Sequence, residues 1–272
     1  MWLGFNRMLG KIKYPIYVIS KGRWENPLTA KFMLKEKIPF HIVIEPQEYD
    51  NYCKTIPKEN ILLLPFSNLG LGSYPARNWC WEDSIQKGFE WHHIFDDNIR
   101  GITKFDGRSR IPGQFANQGF QLLEKLVDIY DNIAIAGFEY EGFTIPNKVM
   151  KPFKYNTHVY SALLINNKIP YRWRLKYNED VDLCLQVLHD KWNTLSLYYY
   201  CVKKMSTTMK MKGGNQDELY KNNDPNKKLL KTKSLEMMWP QYVKTISRFG
   251  RPHHYIDWKK HFRHKLIKKK RN

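Results

Sequence analysis

Short runs that are apolar at every position alternate with amphipathic stretches through the first hundred residues. In YPIYVISKGR, residues 14–23, a β-branched run ends in a polar turn that contains glycine. NPLTAKFMLKEK follows at helical spacing, with Asn26 placed to cap it and Pro27 suited to its first turn. FHIVIEP is a second apolar run, closed by Pro46, and ILLLPF is a third, closed by Pro65. A glycine-containing loop, SNLGLGSYPAR, then leads into a predicted helix, ARNWCWEDSIQKGFEW, and a fourth apolar run, HHIFDDN. Strands without polar alternation, joined through helices, predict a mostly parallel sheet covered on both faces. Ligands of such sheets lie beyond the carboxyl ends of the strands. Ser20 to Arg23, Glu45, and Asp96 to Asn98 all fall at such ends and are expected to line one crevice.

The second half is more mixed. GQFANQGFQLLEKLVDIYDN predicts a helix, IAIAGFEYEGF and HVYSALLIN predict strands, and LSLYYYCVKK predicts a last strand. YNEDVDLCLQVLHDK starts a helix: Asn178 can cap it, Glu179 and Asp180 suit its positive end, and Val181, Cys184, Leu185 and Leu188 form its apolar stripe. Polar residues dominate MKMKGGNQDELYKNNDPNKK, and aromatics return from Ser234 onward. The expected organisation is an α/β domain over residues 1–215, with halves at about 14–100 and 101–215. A small, basic, partly helical appendage over 216–272 follows.

Composition adds a partner class. The 272 residues carry a net charge of +19, a field that favours a polyanion, either nucleic acid or an anionic membrane surface. Arg248, Arg251, Lys259, Lys260 and Arg263 crowd the C-terminal stretch and are the candidate DNA contacts. The four scattered cysteines offer neither a zinc motif nor a disulfide framework, and no apolar run is long enough to span a bilayer. A cytoplasmic location is the expectation.

Four clusters can carry chemistry. Asp96, Asp97 and Asn98, at the end of a buried strand, can hold a divalent cation through oxygen ligands; a solvated turn is the plainer alternative. Arg77 and Asn78, in the first turn of a helix behind the glycine-containing loop, can take an anion. Glu179 and Asp180 can deprotonate an acceptor hydroxyl, or merely complement the helix dipole. Lys210 and Lys212, beside Gly213 and Gly214, can close over a diphosphate, or form a solvated loop. His158 is a further potential metal ligand.

The ordered set of a nucleotide-binding sheet, a strand-terminal FDDN and a later NED at a helix start resembles the GT-A glycosyltransferases. YVISKGR, ARNWCWEDSIQKG, HIFDDNI and YNEDVDLCLQVL are more specifically similar to the TET-associated glycosyltransferases of bacteriophages, over about residues 14–215. That resemblance implies a GT-A-like single domain that moves a hexosyl or pentosyl group, with inversion, from a nucleotide sugar such as a UDP-sugar. The implied acceptor is a hydroxymethylated pyrimidine in phage DNA, 5-hydroxymethylcytosine first, in the cytoplasm of the host.

By the same resemblance Ser20, Lys21, Gly22, Arg23, Glu45, Arg77, Asn78, Asp96, Lys210, Lys212 and Gly213 hold the nucleotide sugar. Asp96, Asp97 and Asn98 hold Mn2+ or Mg2+, and Asp180, helped by Glu179, is the base. Asn98 stands where the motif has a third acidic residue. Other readings stay open from sequence: transfer to a surface polysaccharide or lipid-linked glycan, a metal-dependent nuclease, and an inert DNA-binding protein on an old transferase fold.

Overall fold

The computed structural model describes residues 10–147, 150–205, 212–214, 225–248 and 250–270, with only the backbone at 225–228. The four apolar runs become parallel neighbours: β1 (Ile16–Ile19), β2 (His41–Ile44), β3 (Ile61–Leu63) and β4 (Trp91–Asp96). They are joined through α1 (Leu28–Lys35), the one-turn α2 (Tyr49–Tyr52) and α3 (Tyr74–Gln86). The sheet continues in the second half with β5 (Ile99–Phe105), β6 (Arg110–Ile111), β7 (Ile133–Tyr140), β8 (Phe153–Tyr155), β9 (Ala162–Asn166) and β10 (Asn193–Lys204). Its order is β3-β2-β1-β4-β9-β7-β10-β5-β6, with β8 paired to the first part of β10.

β9 runs antiparallel to both β4 and β7, and β10 runs parallel to β7. Thus β1, β2, β3, β4, β7 and β10 all point the same way, and the core of the sheet is mostly parallel as expected. This direction matters for function. The carboxyl ends of those strands and the amino end of β9 meet along one edge.

Successive residues face opposite sides of the sheet, and both sides are buried. Ile16, Val18, Phe95 and Phe138 pack under α1 and under α4 (Ala116–Ile129), which supplies Phe120, Leu123 and Val127. Tyr17, Ile94, Ile135 and Leu163 face the other way, against Trp81 of α3 and Val181, Cys184 and Leu188 of α5 (Glu179–His189). Where β7 meets β9 the backbones approach so closely that a Cβ on Gly137 would lie 2.4 Å from the Ala162 carbonyl.

The C-terminal stretch forms α6 (Pro225–Met238), a hairpin of β11 (Val243–Arg248) and β12 (Arg251–Ile256), and the single turn α7 (Trp258–His261). Leu235, Trp239, Val243, Ile256 and Phe262 are buried in the same cluster as α5. Asp182, fully buried, ties the two together: it accepts from Arg174 at 2.9 and 3.0 Å, from Gln186 at 2.9 Å and from Trp239 Nε1 at 2.7 Å. Beyond α7 the chain descends to the opposite edge of the sheet. There Lys269 N donates to Ile129 O and Asp131 N to Ile267 O.

Two predicted caps take other roles. Asn26 Oδ1 accepts from Lys31 Nζ at 2.9 Å while Pro27 occupies the cap position of α1. Asn178 does stand at the cap of α5, but in a left-handed conformation, and its side chain donates to Lys231 O at 2.6 Å.

Candidate active site

The shared strand edge opens into a crevice of about 460 Å³, lined by residues from both halves and from the C-terminal stretch. Its floor is the end of β4. Asp96 Oδ1 accepts from Arg77 Nη2 at 2.8 Å, and Asp96 Oδ2 accepts from Lys204 Nζ at 2.8 Å. Asp97 turns to the side, where its oxygens accept from Arg23 Nη1 and, at 2.6 Å, from Ser20 Oγ. The repulsion between adjacent carboxylates is therefore met by three cations, Arg23, Arg77 and Lys204. Burial alone would raise the pKa of Asp96, but Lys204 and Arg77 outweigh it and hold the group below the usual carboxylate range. Burial keeps Asp97 above its ordinary value despite Arg23.

Lys204 was not among the residues expected from sequence. It is the last residue of β10, and a bulge between Val202 and Lys204 re-aims the strand end. Its Nζ also donates to Tyr140 OH at 3.2 Å and to Ser161 Oγ. Tyr140 ends β7 and Ser161 immediately precedes β9, so the same edge that collects the strand ends collects this group.

Arg77 joins the two acidic clusters. Its side chain is 2% exposed and stacks on Trp173 at 4.7 Å. Besides Asp96 it faces Glu179 at 3.6 Å and Asp180 at 3.7 Å. Ser73, at the N-terminal cap of α3, accepts from Arg77 Nε at 3.2 Å and donates to Glu179 Oε1 at 2.7 Å. Asp180 Oδ2 accepts from Ser161 N at 3.1 Å, while Asp180 Oδ1 is buried without a hydrogen bond. Burial pushes the Asp180 pKa up to about 7, and Glu179 and Asp96 add to this, against Arg77 and the Ser161 N–H. A carboxylate poised near neutrality at the wall of a crevice suits general-base work.

The turn after β1 carries the remaining expected residues. Lys21 Nζ donates to Glu45 Oε1 at 2.8 Å and to Asn68 Oδ1 at 3.2 Å, and Gly22 N donates to Glu48 Oε1 at 2.6 Å. Arg23 donates to the carbonyls of Lys212 and Gly213, each at 3.2 Å, and Gly214 N donates to Lys21 O at 2.8 Å. A Cβ on Gly213, whose φ is +82°, would lie 2.3 Å from Gly22 O, so glycine lets the 212–214 segment seat on this turn. Lys210 lies outside the described residues.

Asn78 is placed differently from its expected role. Its amide exchanges hydrogen bonds with the Trp173 backbone at 2.8 and 3.0 Å, and it does not line the crevice. His158 stacks on Tyr160 at 4.2 Å, and burial takes its pKa down to about 4. Lys231 and His254 bring α6 and β12 into the crevice wall. Burial also drives the His254 pKa down to about 4.

Mn2+ or Mg2+ on a diphosphate takes one or two protein carboxylates, and phosphate oxygens and water complete the set. Asp96 and Asp97 have their oxygens on Arg77, Lys204, Arg23 and Ser20. Asn98 Nδ2 donates to Met205 O at 3.2 Å, and Asn98 Oδ1 is buried without a partner. Among the described residues no group of three or more His, Cys, Asp or Glu is arranged to hold an ion. As they stand, both carboxylates are engaged by cations of the chain.

A mostly parallel sheet with an acidic pair ending its fourth strand, facing a second acidic pair at a helix start, defines a GT-A-like transferase fold. A family model described as TET-Associated Glycosyltransferase matches residues 14–214, and the chain belongs to that family. It is a glycosyltransferase by that membership. No curated protein matches it. Among the described residues no helix is long and apolar enough to cross a membrane.

Proposed function

We propose that the protein transfers a sugar from a nucleotide sugar, UDP-linked first, to the hydroxymethyl group of a pyrimidine in DNA. 5-Hydroxymethylcytosine is the leading acceptor. The observation that carries this reading is the Asp96–Arg77–Asp180 bridge. One buried guanidinium fixes the carboxylate at the nucleotide end of the crevice relative to the carboxylate that serves as base. Ser20, Lys21, Arg23 and Glu45 bind nucleoside and phosphates at the ends of β1 and β2. Asp180, ionised above its pKa, takes the acceptor proton, and Glu179 positions Arg77 through Ser73. An attack from the Asp180 side, opposite the diphosphate, inverts the anomeric centre.

DNA as acceptor is supported by charge. Arg248 and Arg251 flank the tip of the hairpin whose β12 strand contributes His254 to the crevice, and Lys259 and Lys260 are exposed just beyond. Arg263 is exposed further down. A hydroxymethyl group projects into the major groove, and the target base must leave the stack to reach a recessed base such as Asp180. The test is UDP release from a panel of UDP-sugars with matched duplexes carrying cytosine or 5-hydroxymethylcytosine. Release is expected to be stimulated by the hydroxymethylated duplex alone. Equal release with both duplexes would remove DNA hydroxymethyl as the acceptor.

A further inference from the structure

The acidic strand end has an occupant for the place where an ion is expected, and it is part of the chain. Lys204 Nζ sits 2.8 Å from Asp96 Oδ2, in a side chain that is 19% exposed and lines the crevice. It also donates to Tyr140 OH and Ser161 Oγ, both in the crevice wall. The crevice lining holds six cations, Lys21, Arg23, Arg77, Lys176, Lys204 and Lys231, against five carboxylates, Glu45, Asp96, Asp97, Glu179 and Asp180. At the strand end two cations, Arg77 and Lys204, share the carboxylate of Asp96.

We infer that the diphosphate of the donor is held and its developing charge answered by the Lys204 ammonium, and that donor binding and transfer need no divalent cation. The inference rests on the transferase reading above and deepens it. In the transfer step the acceptor oxygen bonds to the anomeric carbon as the bond from that carbon to the diphosphate oxygen breaks. The electron pair of the broken bond leaves with the diphosphate, and the hydroxyl proton passes to Asp180. An ammonium has three donors. Exchanging the longest of the Lys204 contacts, to Tyr140, for a phosphate oxygen keeps Asp96 paired while a charge-assisted hydrogen bond forms to the leaving group. Asp96 then orients Lys204, in place of ligating a metal.

The deciding experiment is calorimetric titration of the full-length protein with UDP, GDP, CDP, ADP and TDP. It is run after EDTA treatment and desalting, with residual Mn and Mg measured by mass spectrometry, and again with added Mn2+ or Mg2+. The expected result is a nucleoside diphosphate affinity that the ions leave unchanged. Lys204→Met is expected to weaken it about 10-fold or more, as removal of a charge-assisted hydrogen bond does, and Lys204→Arg to retain most of it. Binding that appears only with the ion, or a folded Lys204→Met protein that binds as the wild type does, overturns the inference and leaves the transferase reading standing. If Lys204→Met does not fold, the wild-type titrations with and without ion decide alone. Failure to bind any of the diphosphates under either condition removes the transferase reading, and this inference with it.

Discussion

Arg77 Nη2 lies 3.7 Å from Asp180 Oδ1, across a site in which the arginine is 2% and the aspartate 13% exposed. A charge so placed opposes the burial that raises the Asp180 pKa to about 7. The ionised base accumulates above that pKa, so kcat/KM for the acceptor is expected to rise with pH through about 7, because this ratio reports the free enzyme. Arg77→Met removes the opposing charge and should carry the same limb to higher pH. An unshifted limb in a folded Arg77→Met protein would mean that another group titrates.

Asp180→Asn preserves shape and the contact with Ser161 N but cannot accept the proton. Turnover should fall about 100-fold or more, the range for removing a general base, with UDP affinity retained. Normal turnover in this variant would place the base elsewhere.

Two positions further along α5, Asp182 does unrelated work. It holds Trp239 Nε1 and Arg174, and so fastens the C-terminal stretch to the domain. Asp182→Ala leaves a buried indole N–H unpaired and should destabilise the fold by about 1–3 kcal/mol, read as a lower Tm. At temperatures where the variant stays folded its UDP affinity should match the wild type. A Tm equal to the wild-type value would show that α6 does not depend on this anchor.

The hairpin and the terminal residues should part company in DNA binding. Arg248 and Arg251 sit on the hairpin that reaches the crevice, whereas Lys268 and Lys269 run beside Tyr130 and Ile129 at the far edge of the sheet. Replacing both hairpin arginines with alanine should raise the KM for DNA. It should also flatten the log–log salt dependence by about 0.9 for each phosphate no longer neutralised. The same change at Lys268 and Lys269 should leave both quantities nearly unaltered. The reverse pattern would move the DNA to the other end of the molecule.

Much of this arrangement is legible in the sequence, for a physical reason. Strands buried on both faces are mostly apolar, so β1, β2 and β4 announce themselves even with His92 and His93 buried in β4, as does the apolar edge strand β3, and the strand-end rule then gathers Ser20, Arg23, Glu45, Asp96 and Asp97. β5 and the β11–β12 hairpin interleave charge with apolar residues and carry a weaker signal. Lys204 also ends a predicted strand, LSLYYYCVKK, so the same rule could have found it. Its relevance depends on β10 running parallel to β7, a pairing that no local pattern encodes. Ser161 reaches the edge because β9 runs the opposite way, which local sequence also leaves open. Arg77 lines the crevice as its helix position suggests, but its pairing with Glu179 and Asp180, distant in the chain, has no local signal. Asn78 likewise spends its amide on Trp173, a partner set by tertiary packing.

Sugar transfer to a hydroxymethylated base is read on the DNA itself. Duplex containing 5-hydroxymethylcytosine is incubated with the protein and a panel of nucleotide sugars, digested to nucleosides and analysed by mass spectrometry. The expected product is a nucleoside heavier than 5-hydroxymethyldeoxycytidine by one sugar residue, formed by the wild type and nearly absent with Asp180→Asn. Donor hydrolysed to free sugar across the whole panel, with every hydroxymethylated nucleoside recovered unchanged, would contradict it.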